Sequence, residues 1–241
     1  MGLERSGNTV RLTQAVPPWI VVDQSIATIT IGSHWPGQLW RVRVTQLGDM
    51  SGLVAQPGYW RAAAIELREA LPLSALFGPD GAAVAGLLAQ IGNLSRAQAA
   101  QLAAGLPPQA WQAYGRAWMR WSEDRDALAP PVTDTAQAES LQAWRGVLAA
   151  TRRGDKARSP VHSGLLLIHT LLRQRAQAVD GDDAFVLIED DGETEQWLAP
   201  LWRDAADALL YAAMALGGKR WVAPADAAEL TRAWRGVFGE S

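Results

Sequence analysis

Apolar and polar residues alternate with a period of two in the first part of the chain. In the segment 40–45, tryptophan and valine alternate with arginine and threonine. Successive side chains of a strand point to opposite faces, so this pattern predicts a strand with one apolar face. The segments 19–22 and 26–31 are rich in the β-branched residues that are typical of strands. We therefore predict a small antiparallel sheet with one solvent-exposed face.

From about residue 57 the apolar spacing becomes helical. A first helix is predicted from Pro57 to Leu71, because Pro72 would end it. Ser95 is a good N-cap and Gly105 a good C-terminal residue for another helix. The helices predicted after Pro72 cover about 82–91, 96–104, 109–128, 135–152, 160–178, 199–216 and 226–238. A strand at 184–188, followed by the turn-forming residues Asp190, Asp191 and Gly192, predicts a β-hairpin.

These elements predict an α+β fold, with a small N-terminal antiparallel β-sheet followed by a larger, mostly α-helical bundle. We divide the chain into a β-rich segment 1–56, a helical region 57–128 and a C-terminal helical region 132–241 that contains the hairpin. The break falls at Ala129-Pro130-Pro131. The alternative is one continuous domain.

The composition removes several function classes. The chain has 241 residues and no cysteine, which excludes disulfides, thiol nucleophiles and cysteine-based metal sites. Its net charge of −3 does not suggest a globally basic nucleic-acid binder. No phosphate-binding, dinucleotide-binding, zinc-protease or serine-hydrolase motif occurs, so no cofactor is predicted. The N-terminus lacks the apolar core of a signal peptide, and no apolar run is long enough to span a bilayer. We therefore expect a cytoplasmic protein without a membrane partner.

Two stretches of opposite charge lie close together along the chain. The basic stretch consists of Arg145, Arg152, Arg153, Lys156 and Arg158, with Asp155 as the only acid. The acidic stretch, 180–195, contains no base and the acids Asp180, Asp182, Asp183, Glu189, Asp190, Asp191, Glu193 and Glu195. Such patches speed the encounter with a partner. We predict that Arg152, Arg153 and Arg158, together with Asp190, Asp191 and Glu193, bind a partner. The alternatives are a solvated helix end and a solvated hairpin.

An aromatic stripe follows Pro108. Trp111, Tyr114, Trp118 and Trp121 lie on one face of the predicted helix. Exposed tryptophans are strong anchors for a protein partner, and we predict this role for Trp118 and Trp121. The alternative is that the stripe faces the core. Trp also occurs in a repeated segment, Ala143–Val147 and Ala233–Val237, which is either a duplicated helical unit or convergence.

Metal-dependent chemistry is the second function class. Carboxylates at strand ends can hold Mg²⁺ or Mn²⁺, so the acids at 180–195 are candidates. The segment 204–216 resembles the last helix of the nuclease domain of phage terminase large subunits, which implies a metal-binding role for Asp207. The resemblance covers this helix alone. His162 and His169 are seven residues apart on one helix, too far to share a zinc ion through neighbouring turns.

The residues favour a non-enzymatic, macromolecule-binding protein. Its concrete form would be a bacterial immunity or antitoxin-type protein, or a phage-associated interaction protein. A protein partner is predicted first and a nucleic acid second. The alternative is a metal-dependent phosphoesterase or nuclease that uses the 180–195 carboxylates and Asp207.

Overall fold

A computed structural model describes residues 2–23, 37–49, 59–127, 160–190 and 193–239. Its strands are β1 (Leu3–Ser6), β2 (Thr9–Leu12), β3 (Ile20–Asp23), β4 (Leu39–Leu47), β5 (Tyr59–Leu71), β6 (Phe185–Asp190) and β7 (Glu193–Leu198). Its α-helices are α1 (Ala85–Ile91), α2 (Arg96–Gly105), α3 (Ala110–Ala127), α4 (Pro160–Asp180), α5 (Pro200–Gly217) and α6 (Pro224–Phe238). The predicted α+β class, with an N-terminal antiparallel sheet before a mostly helical part, is confirmed.

The N-terminal sheet is built around β5. β4 pairs antiparallel with one edge of β5, while β2 and β3 pair end to end with its other edge. β1 extends the sheet beyond β2. The predicted alternation in β4 is confirmed, since Trp40, Val42 and Val44 pack together on one face. The predicted strand 26–31 lies outside the described residues.

The predicted helix from Pro57 to Leu71 is wrong, because residues 59–71 form β5. This segment is rich in alanine, glutamate and leucine, which favour a helix in isolation. Pairing on both edges and burial of Ala62 through Ile65 favour the strand instead. Helix propensities of ordinary residues differ by only about 0.7 kcal/mol or less per residue. The tertiary contacts of this segment therefore outweigh its preference for a helix.

Proline or a capping residue begins several of the described helices. The helix predicted from 226 begins two residues earlier, at Pro224, and the helix predicted from 82 begins at Ala85. The Ser95 side chain accepts from the Gln98 amide while Gln98 returns a bond to the Ser95 amide, so α2 begins with a capping box. α4 begins at Pro160, α5 at Pro200 and α6 at Pro224, positions at which a missing amide hydrogen costs nothing. A segment of 3₁₀-helix, Leu73–Val84, links the sheet to α1. The predicted helix 135–152 lies outside the described residues.

α5 forms the centre of the helical body. It packs against α2, α4 and α6. Its many alanines allow close approach, and the larger side chains Trp202, Leu209 and Met214 are fully buried. Asp226 of α6 receives two hydrogen bonds from Arg116 of α3, at 2.6 and 3.2 Å. The N-terminal sheet meets this body where Leu39 packs with Leu76 and Leu167.

Within the described residues, the helices lack the combined length and apolar character that a bilayer crossing requires.

Candidate functional site

The predicted hairpin forms from β6 and β7, which pair in antiparallel register from Phe185–Leu198 to Asp190–Glu193. Its base is held by the end of α4. The Asp180 carboxylate is buried there, accepting from the Trp202 indole at 2.9 Å and lying 3.2 Å from the Arg96 guanidinium. On one face of the hairpin, Leu198 is buried in the helical core and Phe185 lies under the Arg173 guanidinium. The hairpin is therefore anchored at its base by specific contacts.

The opposite face of the hairpin is apolar and exposed. Val186 and Ile188 lie two residues apart in β6, and Trp197 lies directly across from Val186. Their exposed fractions are 40%, 42% and 50%. We call these three residues the hairpin patch. Leu187 is on the other face of the hairpin, the face that packs on the helical body at its base. It extends past that body and is 72% exposed. Polar-rimmed apolar surfaces of this kind mark interaction sites in soluble proteins.

Exposed acidic side chains lie on the hairpin and just before it, with Glu195 on the face of the hairpin patch and Glu189 on the opposite face. Asp182, Asp183, Glu189 and Glu195 are all exposed. Glu195 also accepts a hydrogen bond from the Trp197 indole at 2.9 Å, which fixes the orientation of that ring. Asp190 and Glu193 end and begin the two strands, but their side chains and the whole of Asp191 lie outside the described residues. The predicted acidic surface is thus present at four exposed positions, while Asp180 serves the base of the hairpin.

A cleft of about 370 Å³ lies between β7, α4 and α5. Its lining includes His169 and Arg173 from α4 and Asp207 from α5, which the sequence separates by up to 38 positions. Arg173 donates to the Gln196 carbonyl at 3.2 Å and so ties α4 to the hairpin. Trp197 lines the cleft as well. The hairpin patch and the cleft therefore share one edge.

Burial shifts the ionisation of two groups in the cleft. Desolvation, followed by the nearby Arg173 charge, lowers the pKa of His169 and keeps its imidazole neutral at pH 7. Desolvation and the Asp204 carboxylate raise the pKa of Asp207, against the opposing influence of Arg203. Burial, with a contribution from Asp207, also raises the pKa of Tyr211 to about 12.

The described part of the chain contains no cluster of side chains that could form the predicted metal site. No group of three or more histidine or acidic side chains there could hold a metal ion. Asp207 lies in α5 as predicted, but its neighbour Asp204 is bound to Arg203 at 3.2 Å. The Asp191 carboxylate and the side chains of Asp190 and Glu193 lie outside this description.

Most of the aromatic stripe packs inward. Trp121 is 2% exposed and belongs to the main core, and Trp118 is half-buried against the same core. Their ring centroids lie 4.8 Å apart, and Tyr114 contacts Tyr211 at the same distance. A buried Trp121 offers no surface to a partner, so the core alternative describes it better. Trp111, at 62% exposure, is the exposed member of the stripe.

The predicted basic partner-binding residues Arg152, Arg153 and Arg158 lie outside the described residues, as does the first copy of the repeated segment at 143–147. The second copy lies in α6, where Trp234 is buried and donates to the Gln90 side chain at 2.8 Å. Trp197 and Leu187 were missed as site residues. The apolar run 185–188 inside the acidic stretch was a signal for Leu187, whereas Trp197 follows that stretch and had no such signal.

Comparisons with protein-family models, with curated proteins and with solved structures found no match for this chain.

Proposed function

We propose that this chain is a non-enzymatic protein that binds a partner protein through the β6–β7 hairpin. The observation that carries the proposal is the hairpin patch, where Val186, Ile188 and Trp197 remain 40–50% exposed on an element anchored at its base. The protein's own core buries side chains of the same kind almost completely, as Leu209 and Trp202 illustrate. Tryptophan is one of the residues most enriched in interface hot spots, and Trp197 is the aromatic member of this apolar patch.

The charge of the hairpin and of the residues just before it indicates the chemistry of the partner. Asp182, Asp183, Glu189 and Glu195 are exposed acids, and the stretch 180–195 contains no base. A partner surface with basic residues around an apolar centre would complement both features. Complementary charge at the rim raises the association rate and selects against wrong partners.

An immunity or antitoxin-type protein, or a phage-associated inhibitor or assembly factor, is the form of this function that we propose. Such proteins act by stoichiometric binding and need no catalytic group of their own. Among the described residues no group of three or more histidine or acidic side chains could hold a metal ion, so they give no support to the phosphoesterase or nuclease alternative.

The test compares two exposed tryptophans. Tagged wild-type protein, Trp197→Ala and Trp111→Ala are used to isolate bound protein from native host cells, and the isolated partner is then purified and titrated against each variant. We expect Trp197→Ala to weaken the affinity by about 30-fold or more, a typical hot-spot loss, and Trp111→Ala to leave it unchanged. Equal affinity of all three proteins would refute the proposal. Nuclease activity that needs added Mg²⁺ and disappears in Asp207→Asn would favour the alternative.

A further inference from the structure

The outer edge of β6 is open in the described part of the chain. β6 pairs with β7 alone, so the hairpin is a two-stranded sheet. Each strand of such a sheet has one edge whose amide and carbonyl groups are not used within it. The position of those groups can be deduced from two hydrogen bonds.

The first bond fixes which β6 residues point outward. The Gln196 carbonyl accepts from Arg173 of α4, so the backbone of Gln196 points away from β6. Leu187 is the residue opposite Gln196. In an antiparallel ladder, opposite residues either exchange hydrogen bonds or both point outward. The amide and carbonyl of Leu187 therefore point away from β7.

A second hydrogen bond independently shows which β6 residues bond to β7 and which point outward. The Ala199 amide donates to the Ala184 carbonyl at 2.8 Å, which makes this pair a bonded one. Counting two residues along each strand, Val186 bonds Trp197 and Ile188 bonds Glu195, while Leu187 and Glu189 point outward. The amide of Phe185 already donates to the Asp182 carbonyl. The open edge thus runs from Leu187 to Glu189.

We propose that the partner adds an extended strand to this edge of β6, with basic residues among its apolar ones. This inference rests on the proposed function and names its binding mode. Strand addition supplies affinity through main-chain hydrogen bonds and specificity through alternate side chains. A strand added at this edge continues the sheet next to Val186 and Ile188, so that half of its side chains enlarge the apolar surface.

The acidic charge of the hairpin favours a strand from another protein, and not a second copy of this chain, at the open edge of β6. Two hairpins joined edge to edge would bring two acidic stretches together, each with eight acids and no base between residues 180 and 195. Like charges at such a contact are unfavourable. A segment that alternates lysine or arginine with valine or isoleucine meets both Glu189 and the apolar face favourably.

Amide hydrogen exchange tests the geometry before any ligand is added. In the free protein, the Leu187 and Glu189 amides should exchange faster than those of Val186 and Ile188, which are bonded to β7. The opposite order would overturn the assignment of the open edge.

The probe is an acetylated, amidated peptide of about eight residues that alternates lysine with valine, long enough to span β6. On binding to the full chain, it should slow exchange at Leu187 and Glu189 by roughly tenfold and leave Val186 and Ile188 unchanged. The same peptide with every backbone amide methylated keeps its side chains but cannot add as a strand, so it should give no such protection. An alternating glutamate-valine peptide should not bind.

Leu187→Pro and Leu187→Thr complete the test. Proline removes the outward amide at an edge position that tolerates it, whereas threonine keeps the amide and loses only the apolar side chain. The Glu189 amide reports on both variants, because proline at position 187 has no amide hydrogen of its own. Loss of its protection in Leu187→Pro with retention in Leu187→Thr supports strand addition. Equal protection by the methylated and unmethylated peptides on the wild-type protein overturns it, whatever the fold of the proline variant. If the native partner still depends on Trp197 in that case, the proposed function stands and only the binding mode fails.

Discussion

The helical body and the β6–β7 hairpin are both rich in apolar residues, but only the helical body covers them. Leu209 in α5 is completely buried, whereas Leu187 in β6 is 72% exposed. Burial contributes to folding in proportion to the apolar area removed from water, so these two leucines differ in what they do for stability. We infer that the exposed apolar side chains of the hairpin, unlike its buried Leu198, contribute little to folding and are available to a partner.

The largest effect is expected in the core. Leu209→Ala should lower the free energy of unfolding by about 2–5 kcal/mol, because it removes buried methyl groups and leaves a cavity at the centre of the body. Urea denaturation followed by circular dichroism measures the loss. A loss below that range would mean that α5 is not the packing centre that we describe.

The next largest loss of stability is expected where α4 packs closely against the 3₁₀ segment. A Cβ at Gly164 of α4 would lie 2.6 Å from the ring of Phe77, which is itself buried. Gly164→Ala should therefore cost about 1–3 kcal/mol through overpacking.

The matched control is Gly86→Ala in α1, where a Cβ meets nothing within 4 Å. Here the greater helix propensity of alanine should stabilise the protein by up to about 1 kcal/mol. If both variants lost stability equally, the contact between α4 and the 3₁₀ segment would not be as tight as described.

Two carboxylates should respond to pH with opposite signs. Hydrogen bonds from Arg116 lower the pKa of Asp226, so its ionised form stabilises the fold above the ordinary carboxyl range, and this contribution is lost as pH falls through the lowered pKa. Burial raises the pKa of Asp207, so ionising it in the folded state costs stability as pH rises through the raised value.

At neutral pH, Asp226→Asn should therefore lower the urea midpoint and Asp207→Asn should raise it. Both differences from wild type should fade below the ordinary aspartate pKa of 3.8, where the unfolded carboxyls are also protonated. A pH series of denaturation curves checks the prediction, and shifts of the same sign in both variants would contradict it.

The smallest effect on stability is expected in the hairpin. Leu187→Ala should change the free energy of unfolding by less than about 0.5 kcal/mol, as is usual for surface positions. The contrast with Leu209→Ala isolates burial, because the substitution is identical. A loss near the core value would show that the hairpin is part of the folding core.

Local signals predicted the helices well. The Ser95 cap and Pro160 begin helices independently of distant contacts, so the sequence alone locates these two starts. The last helix begins at Pro224 and not at the predicted residue 226. β5 could not be assigned in this way because its strand form depends on pairing with β4 on one edge and β2 and β3 on the other. Those pairings are made with separate strands, so the local sequence of 59–71 does not show them.

The candidate site was predicted only in part. The hairpin and its acids follow from the turn residues and the charge pattern of 180–195. The exposure of Trp197 and the cleft shared with His169 and Asp207 depend on how α4 and α5 pack beside β7. For the aromatic stripe, periodicity places Trp111 and Trp121 on one helix face. It does not show that the core covers Trp121 and leaves Trp111 exposed.

The affinity of the purified native partner for Trp197→Ala, relative to Trp111→Ala, tests the central claim most directly. Both variants remove an exposed tryptophan, so nonspecific loss of apolar surface is matched between them. We expect a loss of about 30-fold or more for Trp197→Ala alone, while both variants keep wild-type stability. Equal affinity of the two variants would contradict it.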